Sequence, residues 1–227
     1  KNRVFMPPIS TNLANKGYIT DELVSHYAAR AKGGVGLIIT EVTTVEPTYI
    51  YLPGDISIAD DSYIPGWKKL ADAVHTYGAK IMPQLFHPAY MAFPLPGTPQ
   101  LIAPSTVGPS YLKQAPRPVT IEELKVIIKQ FGEAAARVKQ AGGDGVEIHA
   151  AHAHGLLGGF LSPLYNKRTD EYGGDLANRT RFALTLVRRL KAIVPDMVID
   201  YKLPIVTPLG DNGFRGKGGL PLDEACI

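Results

Sequence analysis

Residues 142–157 read Gly142-Gly143-Asp144-Gly145-Val146-Glu147-Ile148-His149-Ala150-Ala151-His152-Ala153-His154-Gly155-Leu156-Leu157, and the chain runs on through Phe160-Leu161-Ser162-Pro163 to Asn166-Lys167-Arg168-Thr169-Asp170. A glycine-rich turn opens a short apolar strand over 145–149, the strand ends on His149, and His152 and His154 follow in the connection. Side chains alternate along a strand, so His149 and His152 reach one site only if the strand stops near Ala150. The glycines and small alanines permit that bend. Imidazoles in the loop after a parallel strand suit the grip of a carbonyl or carboxylate oxygen. Two other readings of the same residues stand beside this one: a zinc site built on His149, His152 and His154, or histidines that only satisfy the core.

Working back from that strand, Thr120-Ile121-Glu122-Glu123 is a capping box that opens a helix through Leu124, Ile127, Ile128, Phe131 and Val138 to Gly142. Before it, Pro88 to Pro118 is a proline-rich excursion too long for a plain connection. It reads as a lid or substrate wall, or as a hairpin decorating the rim. Ala79 to His87 is a strand, preceded by a helix carrying Trp67, Leu70, Ala71 and Val74 and closed by Gly78. Ile50 to Pro65 reads as a loop, and Val35 to Val42 as a strand apolar on both faces, the mark of parallel pairing. Thr20 caps a helix that stops at Gly33-Gly34, and Arg3 to Ile9 is a first short strand cut by Pro7-Pro8.

Forward of the histidines, Asn178 to Ile193 is amphipathic through Phe182, Leu186 and Leu190. Met197 to Leu203 is a fifth strand, and Pro221 to Ala225 is a helix start. Strand and helix alternate throughout, which specifies an α/β fold with a parallel sheet. A (β/α)8 barrel of roughly 250 residues is one domain, and five strands are visible, so residues 1–227 read as one barrel domain cut short at its C-terminal side.

Composition narrows the class. With 45% hydrophobic and 20% charged residues the chain is an ordinary globular one. A net charge of +3 from dispersed basic residues gives no nucleic-acid or polybasic membrane surface. A single cysteine, Cys226, excludes an internal disulfide. The start, Lys1 to Pro8, is neither a leader nor a span, and a cytoplasmic protein is expected.

Taken together, Val146 to His152, Gly155-Leu156-Leu157, Phe160 to Pro163, Asn166 to Gly174 and Asn178 to Phe182 resemble the old yellow enzyme family of FMN-dependent oxidoreductases, in the branch of enoate and 2,4-dienoyl-CoA reductases. Lys1-Asn2-Arg3 with Pro7-Pro8, Tyr27 to Ala31, Gly36 to Glu41 and Gln84 to His87 agree in order, so the likeness covers essentially the whole chain. It implies a (β/α)8 barrel with FMN over the C-terminal strand ends and NADH or NADPH as reductant. Matched residue by residue, it places Pro7, Pro8, Ile9 and Ser10 along the flavin, Val42 near the ring, Gln84 at the pyrimidine edge and Lys202 where a cation stabilises the reduced ring. His149 and His152 match the pair that binds the oxygen of an α,β-unsaturated carbonyl or acyl-CoA type substrate, which activates the C=C bond for hydride.

The chain departs from the family pattern in two respects. The tyrosine that follows the histidine pair in many relatives is absent, which leaves His154, Tyr90, Tyr111 or water as proton donor. The family's phosphate-binding loops would fall beyond Ile227. An iron-sulfur cluster and FAD belong only to members with a C-terminal extension. The resemblance thus implies an ene-reductase acting on a small unsaturated molecule. Its alternatives are a flavin-dependent amine demethylase or dehydrogenase, a non-catalytic fragment that needs a partner chain to complete the barrel, and a zinc hydrolase. A homo-oligomer is compatible with any of these.

Overall fold

The computed structural model describes residues 1–93, 96–108, 114–151, 155–205 and 222–225. Five parallel strands form the main sheet in the order β1 (Phe5–Met6), β2 (Leu37–Thr44), β4 (Lys80–Phe86), β7 (Gly145–His149) and β8 (Val198–Lys202). Each pairs with the next in sequence order, as successive units of a β/α barrel do. The helices α1 (Asp21–Lys32), α2 (Ile64–His75), α3 (Ile121–Gln140) and α5 (Leu176–Ile193) are the crossovers that parallel pairing requires.

The helix starts follow from their caps. The backbone N–H of Leu23 donates to the Thr20 hydroxyl, with Asp21 and Glu22 in the first turn of α1. Thr120 and Glu123 cap each other's backbone reciprocally at the start of α3. Leu23, Tyr27, Trp67, Leu70, Phe131, Phe182 and Leu186 turn inward from the helices onto Ile38, Ile81, Leu85, Val146 and Ile148 of the strands. This apolar layer is the main core.

The first strand is shorter than expected, two residues against the seven from Arg3 to Ile9, and the second runs Leu37–Thr44, two residues later than its apolar run suggests. Several elements went unseen. The loop after β2 contains β3 (Ile56–Ser57), which pairs in parallel with β2 and accepts a bond from the Trp67 indole at 2.9 Å through the Ser57 carbonyl. The proline-rich excursion carries a two-residue pair, β5 (Ile102–Ala103) with β6 (Arg117–Pro118). A fully buried helix, α4 (Leu156–Leu161), fills the connection after β7, and α6 (Leu222–Ala225) is the helix start read at the C-terminal side.

One irregularity sets the face of β2. Ile39 pairs with Met82 and Val42 with Gln84, so Thr40 and Glu41 together stand opposite Pro83 alone. An extra residue on one strand of a pair is a β-bulge. The bulge reverses the alternation: Leu37 and Ile39 face the inside of the sheet, and beyond the bulge Val42 does so in place of Glu41. Glu41 turns to the helix side, where Tyr27 and the Thr11 backbone N–H donate to its carboxylate.

Candidate active site

The inward side chains form rows across the sheet. Val42, Gln84, Glu147 and Asp200 are in register on β2, β4, β7 and β8, and one layer higher His149 pairs with Lys202. At the C-terminal ends of these strands lies a cavity of about 170 Å³ lined by Pro8, Ser10, Val42, Tyr51, Gln84, Phe86, Met91, His149 and Lys202. In β/α barrels this end carries the ligand site.

Six of the residues assigned from sequence therefore come together here: Pro8, Ser10, Val42, Gln84, His149 and Lys202. Pro7 and Ile9 alternate with Pro8 and Ser10 and are exposed. Tyr90 is buried, with its ring 6.2 Å from that of Tyr165, and is not part of the cavity wall. His152, His154, Tyr111 and Cys226 lie outside the described residues. Among the described residues no group of three or more His, Cys, Asp or Glu side chains converges on a metal position.

The walls have distinct chemistry. His149 is buried, its ring 4.6 Å from that of Phe86, which meets the Tyr51 ring edge-on at 5.8 Å. Phe86 was legible as the next inward position after Gln84 on its strand, whereas Tyr51 lies in a bend and Met91 ends a single 3-10 turn (Ala89–Met91), too short to carry a periodic signal. Below the mouth, the Gln84 amide donates to the Glu147 carboxylate at 2.5 Å. Burial, reinforced by Asp200, holds that carboxyl up to about 7, against the pull of Gln84 and Lys202.

A second buried acid supports the wall from behind. Asp55 accepts from the Leu52 N–H at 2.8 Å, and the Ser10 hydroxyl stabilises its charged form. Burial nevertheless raises it to about 7, helped by the nearby Glu41 carboxylate. His87, one residue past β4, is fully buried and pushed down to about 4, and its Nδ1 accepts from the Ala89 N–H, which fixes a neutral ring.

Much of the sequence pattern beyond the histidines is architectural. The Arg168 guanidinium donates to the carbonyls of Pro104 and Val119 and pairs with Asp170, tying the middle of the proline-rich excursion to the residue just past its end. Asn166 donates to the carbonyls of Phe160 and Tyr172, each at 2.7 Å, and Ser105 donates to the Tyr165 carbonyl at 2.5 Å. The excursion is thus fastened at its middle and its far end, and Met91 near its start reaches the cavity.

Five parallel strands joined by four helical crossovers, with a polar cavity at the strands' C-terminal ends, define the first part of a β/α barrel of the ligand-binding kind. The chain belongs to the NADH:flavin oxidoreductase / NADH oxidase family, the old yellow enzyme family, whose profile matches residues 1–214. It is 44% identical over 227 residues to the NADH oxidase of Thermoanaerobacter brockii, covering 99% of this chain and 34% of that protein. It is 36% identical over 226 residues to an NADPH dehydrogenase of Listeria monocytogenes, covering 99% of this chain and 63% of that one. Among solved structures, morphinone reductase in complex with tetrahydroNAD superposes with a TM-score of 0.83 at 29% identity, over 95% of this chain and 63% of that chain. A 2-naphthoyl-CoA reductase complex superposes with a TM-score of 0.84 at 28% identity, over 91% of this chain and 34% of the other. The chain therefore spans between a third and two thirds of the length of these relatives.

Proposed function

We propose that residues 1–227 form the first five units of one barrel domain that binds FMN, and that the domain serves an NAD(P)H-dependent reductase of activated C=C bonds. The observation that carries this reading is the convergence of Gln84, Lys202 and His149 on one cavity with the apolar Pro8 and Val42. These residues fit a flavin ring. A planar apolar surface needs flat, small neighbours, its polar edge needs an amide, and charge on the reduced ring needs a cation.

Flavin, when bound, supplies the hydride. This chain's residues orient and polarise: Lys202 brings a positive charge to the same cavity as the Gln84 amide, and His149 offers a ring N–H to a substrate oxygen, withdrawing electrons from a conjugated alkene. Phe86 and Tyr51 exclude water from that face of the cavity. We assign His152 as the second donor and His154 as a candidate proton donor on the family pattern. Pro7 and Ile9 belong to the same segment along the ring.

Relatives named as NADH oxidase and NADPH dehydrogenase support a nicotinamide as reductant. The intact protein should be yellow, be bleached by NADH or NADPH, and be reoxidised by an enone such as cyclohexenone. A protein that neither carries nor takes up FMN would overturn the reading. Tyr51 and Phe86 also offer aromatic faces to a cation, which favours methylated amines as a second substrate class. Reduction of the bound flavin by such an amine would select that alternative.

A further inference from the structure

Gln84 and Glu147 are register partners on adjacent parallel strands, each with a neighbour on its other side, so their backbones cannot drift apart. Both are nearly inaccessible, at 2% and 3% exposure. The Gln84 side-chain nitrogen donates to a Glu147 carboxylate oxygen at 2.5 Å. An ionised carboxylate only accepts, so it dictates which end of the amide it meets: the NH2 end must face Glu147, and the carbonyl oxygen is left for the cavity.

We infer that Glu147 is a positioning residue that holds the Gln84 amide with its oxygen toward the cavity, so that the site presents an acceptor to the ring N–H on the polar edge of a bound flavin. The inference rests on the flavin reading above and deepens it. A flavin carries one such N–H, at N3, between two carbonyls, and an amide turned the other way would set donor against donor.

The surroundings keep this orientation whether or not Glu147 is charged. From β8, Asp200 and Lys202 face Glu147. On β4 only the uncharged Gln84 does, because Lys80 is engaged with Asp144, and on β7 the next inward group is His149. Burial and a hydrogen bond with the Asp200 carboxylate favour the proton on Glu147, whereas Gln84 and Lys202 oppose it. A protonated Glu147 donates its O–H to that carboxylate, the charged acceptor beside it, and its other oxygen still accepts from the Gln84 NH2.

The test is the affinity of the intact apoprotein for FMN and for FMN methylated at N3, read by flavin fluorescence at pH 7.5, in wild type, E147Q, E147L and E147A. The ratio of the two affinities cancels the shared phosphate and any general effect of a substitution on the fold. The wild type should prefer FMN over its N3-methyl analogue about tenfold more strongly than E147L and E147A do, the effect of about one hydrogen bond. E147Q should keep the wild-type ratio, because its carbonyl still accepts from Gln84 while its NH2 meets Asp200. An E147L or E147A ratio equal to the wild type's, or an E147Q ratio as low as theirs, overturns the inference. If E147L does not fold, the E147A and E147Q ratios decide. Absence of binding of either flavin to the wild type would instead sink the flavin reading itself.

Discussion

His149 shows how much one residue's place depends on its neighbours. It is the last residue of β7, buried against Phe86 and opposite Lys202, so its ring is fixed at the cavity rather than carried on a loop. Replacing it with alanine should weaken binding of a phenolate such as p-hydroxybenzaldehyde by about tenfold or more, the effect of one hydrogen bond to a charged group. Titration of the charge-transfer absorbance reads this directly, and an unchanged dissociation constant would remove His149 from the site. Asp55 makes a prediction about pH. Its folded value of about 7 lies above the ordinary 3.8, so the folded state holds the proton more tightly than the unfolded one. Its contribution to stability is therefore present at low pH and is lost as pH rises through that window. Asp55→Asn keeps an acceptor for the Leu52 N–H and cannot ionise. Relative to wild type it should gain about 1–3 kcal/mol between pH 4.5 and pH 8, measured by denaturant unfolding at both values.

At the scale of elements, the ends that were legible were those with local chemistry. The threonine caps located α1 and α3, and the glycine turn ahead of Val146 located β7 to the residue. What could not be read depends on partners distant in sequence. β3, β5 and β6 are two residues each and exist through pairing, and α4 carries two glycines in six residues, so burial rather than propensity keeps it helical. The site divides the same way. Val42, Gln84 and Lys202 came from family likeness, Glu147 stood inside the quoted motif with no role attached, and Tyr51 and Met91 gave no signal at all. Gly145 carries a prediction here: a Cβ at this position would lie 2.7 Å from the Val198 carbonyl oxygen of β8. Gly145→Ala should push those strands apart and cost about 1–3 kcal/mol, seen as a lower midpoint in denaturant. Unchanged stability would mean that β8 is not held against β7 as described.

At the scale of the whole of residues 1–227, the two outer strands of the sheet carry the prediction. Among the described residues β1 and β8 each pair on one side only, and Val4, Phe5 and Val198 are about 60% exposed there, at 61%, 57% and 60%. Unpaired strand edges bearing large apolar side chains associate. Residues 1–227 produced alone should form oligomers whose mass grows with concentration in light scattering, and Phe5→Lys with Val198→Lys should reduce that growth. A monodisperse monomer would show that the edges are covered by some other means. No described helix is long and apolar enough to cross a bilayer.

The bulge at Thr40 and Glu41 touches none of this chemistry, yet the cavity depends on it. Because β2 has one residue more than β4 between Ile39 and Val42, every side chain beyond that point trades sides. Were the two strands to run in step there, the acid at 41, now sequestered behind the sheet by Tyr27, would be the one aimed at the ligand in place of valine. The hydrophobic seat for a flat aromatic guest is in this sense written by one missed step in the ladder, and a slip of register at that point would exchange it for a negative charge.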